Sequence, residues 1–532
     1  MYSATKISRF IAFIRNSGIN ILHVFQNFLC RLPARLFRRF LHLIFCLLLL
    51  CTLYLTGGRL LMARLSDQTV AVEMLLSQML GAPVTIGELK GGWFRFSPAL
   101  QISNLRLITS ENAQQHKISS AVLSLDPLRS LLAQKAVITK VSITGLDLTL
   151  AETSTNKWTL AGLAGVGPDY SRQLLDAIFD TKLVALSESV ISIIPLNNVP
   201  VSLDALHINL FNSGNQHDLH LQARINGQQV PTQLILAMEG NPTETFFASI
   251  YASITDLNMT QYLAAALPEN WQLQAAHGSV NLWANFDSNG LHRLSGHFSD
   301  VTILAAEVEG IHKFDIQNAS SMFALRPDFQ STAIDGGLLL GFEDLALDWQ
   351  QTPWDIEHLQ VSLPATSSYP LRIQANEIDL SMLSNLAQTA LPLPEVGANA
   401  LRTLNPHGFL QNVVIETTLD GNYPGLFKLR GNLHDVGVDA WQSAPAGTGV
   451  QGFIQAQADS GFVELDSQDF TIKFPQLFAQ SWHYDHINAR VNWQLKDRDL
   501  RVQSSIIDLE NPFLRGRLQF DLYNTVNSRN GL

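Results

Sequence analysis

The stretch Ile487–Lys496, INARVNWQLK, decides the fold. Ile487, Ala489, Val491, Trp493 and Leu495 alternate with Asn488, Arg490, Asn492, Gln494 and Lys496. That period of two marks a strand with one apolar and one wet face, the habit of antiparallel sheets. Leu219, Leu221, Ala223 and Ile225 alternate in the same way with His220, Gln222, Arg224 and Asn226. Leu500, Val502 and Ile506 continue the pattern, as do Leu514, Leu518, Phe520 and Leu522. Within Val137–Leu150 the phase flips at Gly145, which predicts a turn or bulge there.

Helical signals are few. Val72, Leu75, Leu76, Met79 and Leu80 form a stripe that Ser66 or Asp67 caps and Gly81 with Pro83 stops, predicting a helix over Val70–Leu80. Others fall at Pro127–Ala133, Tyr170–Phe179, Met259–Leu267 and Leu380–Ala390. The βαβ alternation of a doubly wound enzyme is missing, and with it the switch-point crevice where such enzymes bind ligands.

The second half repeats itself. Thr255-Asp256-Leu257 and the helix after it match Ile378-Asp379-Leu380 and its helix. Leu294-Ser295-Gly296-His297-Phe298-Ser299-Asp300-Val301 aligns with Leu429-Arg430-Gly431-Asn432-Leu433-His434-Asp435-Val436, and Gly278-Ser279-Val280 with Gly408-Phe409-Leu410. The repeat units run over about 255–377 and 378–500. So long a period makes each unit a multi-stranded block. Strands with one apolar face bury it against a second layer or against a ligand. Two architectures remain open: closed sandwiches, or a long gutter with an apolar lining. The gutter's candidate lining is Leu219, Leu221, Ile225, Ile487, Val491 and Trp493, continuing through Leu500, Val502, Leu518 and Phe520.

At the other end lies Phe40–Thr56, FLHLIFCLLLLCTLYLT, a run that approaches the ~20 apolar residues needed to cross a bilayer. Its candidate anchor residues are Phe40, Leu43, Ile44, Phe45 and Leu47, then Leu48, Leu49, Leu50, Leu53 and Leu55. Gly57-Gly58 closes the run, placing the anchor at 40–58. Before it come Lys6, Arg9, Arg15, Arg31, Arg35, Arg38 and Arg39, with no carboxylate until Asp67. The positive-inside rule therefore puts residues 1–39 in the cytoplasm and the rest across the membrane. No small-residue cleavage site follows, so an uncleaved anchor is expected. Phe10–Phe13 and Ile19–Leu29, broken by polar residues, read as a basic interfacial helix.

Net charge is −11; without the seven leading cations, 28 Lys and Arg face 46 Asp and Glu, leaving −18. Such a surface is unsuited to nucleic acid, whose binding depends on neutralising phosphates. Cys30, Cys46 and Cys51 all lie in or before the anchor, so the part beyond it contains no disulfide or thiolate site.

Catalytic motifs are absent: there is no G-x-S-x-G, H-E-x-x-H or phosphate-binding G-x-x-x-x-G-K-[ST]. The glycine-rich Gly162–Pro168 reads as a loop. His483-Tyr484-Asp485-His486 has a metal-like spacing without a third ligand, and reads as a solvated turn before a strand. His292 and His297 read alike, and Asp508 and Glu510 are expected between strands. No enzymatic activity, cofactor or metal is expected.

Leu80-Gly81-Ala82-Pro83-Val84-Thr85-Ile86-Gly87, then Gly92-Trp93 and Leu100–Leu107, resemble the N-terminal signature of the AsmA-like family. Val141–Leu148 followed by Asn156-Lys157-Trp158-Thr159-Leu160 is similar too. The Ile378-Asp379-Leu380 unit and the Pro406-His407-Gly408 turn give an order of blocks most similar to the YhdP branch. The resemblance covers most of 40–525 and implies a helix-plus-strand region over 66–160 and a repetitive groove over 161–532. The implied fold is mainly β: a transmembrane helix, then a long, curved antiparallel sheet forming a β-taco, with a few short helices. The implied setting is the inner membrane of a Gram-negative envelope, with the bulk of the chain in the periplasm. The implied role is movement of phospholipid between inner and outer membranes, supporting the outer-membrane permeability barrier. Partners would be phospholipids, the inner membrane, and outer-membrane or periplasmic envelope proteins. YhdP-like chains are longer, so a C-terminal portion is expected to be missing. The rival expectation is a non-enzymatic scaffold that assembles outer-membrane proteins.

Overall fold

The computed structural model describes residues 34–524, apart from short stretches of which 109–114, 161–176, 329–336 and 419–426 are the longest. The expected interfacial helix before residue 34, the Gly162–Pro168 loop and most of the helix expected at Tyr170–Phe179 lie outside the described residues. Two compact units meet at Ile143/Thr144.

The first unit begins with α1 (Ala34–Leu65), a 3₁₀ turn (Ser66–Gln68) and α2 (Thr69–Leu80). An antiparallel meander follows: β1 (Val84–Phe94), β2 (Ser97–Ile108) and β3 (Gln115–Leu125), then α3 (Pro127–Ala133). Asp126 caps α3, its Oδ1 accepting from Arg129 N at 3.0 Å. α1 does not stop at Gly57-Gly58, as expected from sequence, but runs on to Leu65. The physical reason is packing: Gly58 lies against the Trp93 ring, and the added contact outweighs glycine's poor helix propensity. The expected caps, Ser66 and Asp67, instead form the 3₁₀ link between the two helices.

β4 (Ile138–Ser154) leads into the second unit, where β5 (Lys157–Leu160) pairs back on it. Next come β6 (Leu183–Ile194), β7 (Val201–Ser213), β8 (Gln216–Ile225), β9 (Thr232–Gly240) and β10 (Phe246–Asn258). After α4 (Thr260–Ala264) follow β11 (Trp271–Asp287), β12 (Gly290–Glu307), β13 (Lys313–Asp328), β14 (Gly337–Trp349), β15 (Thr352–Leu363) and β16 (Leu371–Asp379). α5 (Leu380–Ala390) and α6 (Glu395–Leu404) precede β17 (His407–Thr417), β18 (Phe427–Val438), β19 (Ala446–Gln457), β20 (Ser460–Lys473) and β21 (Trp482–Lys496). The chain closes with β22 (Asp499–Ser504), β23 (Ile507–Asn511), β24 (Leu514–Leu518) and β25 (Asp521–Asn524). Each strand from β6 to β22 pairs antiparallel with the next, so the expected mainly-β architecture with few helices is the one found.

Most of these strands carry one residue in the left-handed region, usually Asp or Asn, which tolerate it best. They include Glu188, Ala205, Asp256, Asp300, Asn318, Asp344, Asn412, Asp435 and Asp469. The register slips beside most of them, as at Phe298/Val301 and Leu433/Val436. These are β-bulges, which bend a strand and reverse the phase of its side chains. The reversal is visible in one cluster, where Leu410 with Val413 and Leu433 with Val436 point the same way. The flip expected at Gly145 is such a site (φ +65°) inside the continuous β4, so it is a bulge and not a turn.

The bulges line up. Asp300 follows Leu294 on β12, Asn318 precedes Leu325 on β13, and Asp344 follows Leu340 on β14, where Leu294–Leu325–Leu340 are cross-strand partners. In antiparallel neighbours that places every bulge on one side of the partner row, forming a crease across the sheet. Residues flanking the crease are buried and often small: Ser189, Ala223, Ala276, Ala319, Ser321, Ala375, Ser467 and Ala489. Small side chains are what close approach of the two bent walls allows.

Freed backbone groups at the crease need partners. Ser467 supplies one: its hydroxyl accepts from Gln451 N at 2.8 Å and donates to Gln451 O at 3.0 Å. Ser467→Ala is expected to lower stability by about 0.5–1.5 kcal/mol, because the Gln451 N–H loses its acceptor. The denaturation midpoint of the variant checks this, and a shift indistinguishable from zero would remove the bridging role.

Candidate functional site

Cross-strand pairing lets one row of residues be followed through the second unit. It starts Val184–Leu210–Leu219–Leu236–Ile250–Ala284, on β6 to β11. It continues Leu294–Leu325–Leu340–Val361–Ile373–Ile415, on β12 to β17. It ends Leu429–Ala456–Gly461–Trp493–Val502–Leu522, on β18 to β22 and β25. No polar side chain interrupts it. Directly opposed residues point to the same face, so this is a continuous apolar file. At ~4.8 Å per strand it is on the order of 80 Å long.

A second file runs beside it, nearer the crease: Leu186–Ile208–Leu221–Leu234–Ala252–Leu282, then Gly296–Phe323–Phe342–Leu359–Ala375–Val413. After the β17 bulge it resumes as Gly431–Ile454–Val463–Val491. Phe298, beside the crease, packs ring to ring with Phe323 and Phe342 of the second file, at 6.1 and 6.3 Å between centroids.

Burial separates wall from floor. Val413 beside the crease is 1% exposed, and Leu410 2%. Nearly all members of the outer file are only half-buried, and Leu522 at its end is 60% exposed. An apolar wall left half open over such a length is unlike a sandwich, whose inner faces close on each other. Local covers exist at the margins. Phe179 stacks on His217 at 4.9 Å, and Asn212 Nδ2 donates to the Ile178 and Thr181 carbonyls. α5 packs on β13, β16 and β17, with Leu380 against the Leu410 cluster.

The other face is wet. The row one residue over reads Gln360–Gln374–Val414–Arg430–Gln455–Phe462–Asn492–Gln503–Asp521. There Arg501 clasps Asp521 through Nη2 at 2.7 Å and Nε at 3.2 Å, holding that carboxyl below its ordinary range with help from Gln503. Arg490 lies over the Phe462 ring at 3.7 Å. A concavity of about 580 Å³ near the crease is lined by Asp344, Asp355, Glu357, Asn376, Glu377 and Gln411, and suits water rather than acyl chains.

The ten residues expected to line a gutter fall on the apolar face. Leu219, Trp493 and Val502 belong to the outer file, and Leu221 and Val491 to the second. Leu500 pairs with Leu495 two positions along the same face, and is 37% exposed. Ile225 opposes Leu203 beyond the crease. Ile487 belongs to a buried cluster on which Phe520 packs, and Leu518 opposes Ile507 of that cluster but is itself 46% exposed. The signal that would have found the crease is the apolar residue after a mid-strand Asp or Asn, as in Asp300-Val301 and Asp435-Val436.

Three expectations need correction. His483 and His486 sit inside β21, because β20 is long enough to pair as far as Trp482. His486 Nε2 meets Asp466 at 3.0 Å and His483 Nε2 meets Asp469 at 3.8 Å. Among the described residues no group of three or more His, Cys, Asp or Glu could hold a metal. Asp508 and Glu510 lie within β23, facing Arg517 and Arg515 on β24. His292 is paired with Asp287 at 2.9 Å, and that hydrogen bond draws the carboxyl below its ordinary range.

The ten anchor residues all lie on α1, whose apolar window Arg38–Leu60 is long enough to cross a membrane and has no residue buried inside the protein. A family model described as YhdP protein matches residues 23–527. No curated protein and no solved structure matches the chain.

Proposed function

The chain belongs to the YhdP family, and from that premise we propose that its second unit is a non-enzymatic conduit for phospholipid acyl chains, held to the inner membrane by α1. The single observation that carries this reading is the unbroken, half-open apolar file from Val184 to Leu522. Each methylene removed from water contributes about 0.8 kcal/mol, so an acyl chain lying along the file binds without any named polar contact. Headgroups stay in water, and the file's lack of charge leaves no step at which a sliding chain is held. The excess of cations before the span, Lys6, Arg9, Arg15, Arg31, Arg35, Arg38 and Arg39 against Arg59 and Arg64 just after it, supports the orientation with the N-terminus cytoplasmic and the bulk of the chain periplasmic. Movement of phospholipid between inner and outer membranes, in support of the permeability barrier, is the role that fits this geometry.

Purification of the full chain in mild detergent, followed by lipid mass spectrometry, tests the reading. Phospholipid is expected to accompany the folded protein in excess over a single-span control. A folded sample with no lipid above that control refutes the conduit.

One observation favours the scaffold reading. Phe211, Phe247 and Trp283 stand exposed on the wet face of β7, β10 and β11, where a protein partner could settle. Crosslinking from these positions to an outer-membrane protein, without lipid in the purified chain, would decide for it.

A further inference from the structure

The first unit brings a β-hairpin alongside the part of α1 that needs lipid. Tyr54, Gly58 and Met62 lie at four-residue intervals, on one face of the helix. β1 runs along that face. A Cβ added at Gly58 would collide with the Cζ2 edge of the Trp93 ring, and one added at Gly91 with the Met62 carbonyl. Tyr54 meets the Trp93 ring edge-on, with centroids 5.2 Å apart. The spacings agree with an antiparallel run: Gly91 to Trp93 covers about 6.6 Å of strand, and Met62 to Gly58 about 6 Å of helix. The end of β1 is therefore level with Tyr54.

Tyr54 lies within the apolar window, about 9 Å inward from Leu60 at 1.5 Å per residue. Trp93 meets only one face of that window and none of its residues is buried, so the bilayer meets the rest, and whatever is level with Tyr54 is at membrane depth too. We propose that the Gly91–Trp93 end of the β1–β2 ladder is a second membrane contact, seated at the headgroup-to-acyl boundary of the leaflet into which α1 emerges. This rests on the reading that α1 crosses the bilayer.

The residues suit that place. Tryptophan and tyrosine favour the interface, where an apolar ring meets a wet margin. Gly58 and Gly91 bring helix and strand into close contact, as small residues do between elements in membranes. The hairpin ladder is made as far as Trp93–Pro98 and Phe94–Ser97, so the strands go in with these residues paired. Arg59, next to Gly58 on α1, needs water, which sets the depth at the boundary rather than the bilayer core. Apolar pairs rise from this end: Gly91–Leu100–Leu123, then Leu89–Ile102–Ala121. The partner is a phospholipid bilayer.

The test uses the full chain in nanodiscs, with Cys30, Cys46 and Cys51 replaced by alanine. A single cysteine carrying an environment-sensitive fluorophore is placed at Gly92, where an added Cβ meets only the Ala99 carbonyl at 4.0 Å. Leu49→Cys serves as the in-membrane control and Ser213→Cys as the aqueous one. The Gly92 probe is expected to be quenched by nitroxide lipids labelled near the headgroup, and several-fold less by iodide than the Ser213 probe. Gly58→Leu, which displaces Trp93, should reduce the lipid quenching. If Gly92 behaves as Ser213 while Leu49 is protected, the hairpin is outside the bilayer and the inference fails. If Leu49 is itself open to iodide, α1 does not cross, and the reading beneath both proposals falls.

Discussion

The double variant Leu325→Lys, Leu340→Glu is expected to lose co-purifying phospholipid almost completely while remaining folded. The two residues are cross-strand partners in the middle of the outer file. Both are half-buried, so charged heads there still reach water, and opposite charges facing each other across a strand pair attract. The fold therefore loses little. An acyl chain following the file loses much, because it must strip water from two charges or leave the wall. Lipid mass spectrometry and a denaturation curve on the same preparation separate the two effects. A matched pair on the wet face, Gln360→Lys with Gln374→Glu, should leave bound lipid unchanged. Equal loss from both pairs would mean that lipid does not follow the file.

Leu410→Ala should cost the protein about 2–5 kcal/mol, the range for emptying a buried leucine site that cannot collapse. Leu410 lies in the crease cluster with Ala375, Val413, Leu433 and Val436. Leu429→Ala, in the half-open outer file of β18, should cost visibly less, since its side chain already meets solvent. Hydrogen exchange over β16 to β18 reports both changes. In a meander whose strands touch mainly their neighbours, the first substitution should open that stretch ahead of distant strands. If the two substitutions cost the same, the crease is not the core of this unit.

Much of this was legible in the residues. INARVNWQLK is on β21 with Ile487, Ala489, Val491 and Trp493 on the apolar face, because strict alternation specifies a side. The repeat was legible as a match between Asp300-Val301 and Asp435-Val436, but its meaning was not. Both aspartates are left-handed bulge residues on the crease, so the match is one of architecture. Helix α6 was missed: Gly397, Asn399 and Thr403 weaken its local signal. The histidines and carboxylates taken for loop residues lie in strands because a long partner strand demands pairing, whatever the local polarity.

The sequence by itself determined that the chain has an apolar helix long enough to cross a bilayer, that β-strands with one apolar face follow, and that no familiar catalytic motif is present. Those properties live in neighbouring residues, in run length and in a period of two. Tertiary structure alone decided that the strands stay in order from β6 to β22, that their bulges fall on one line, and that the apolar wall beside that line stays half open. Alternation says which side chains need covering but not what covers them. Cross-strand register supplies that, and register is fixed by partners far away in the chain.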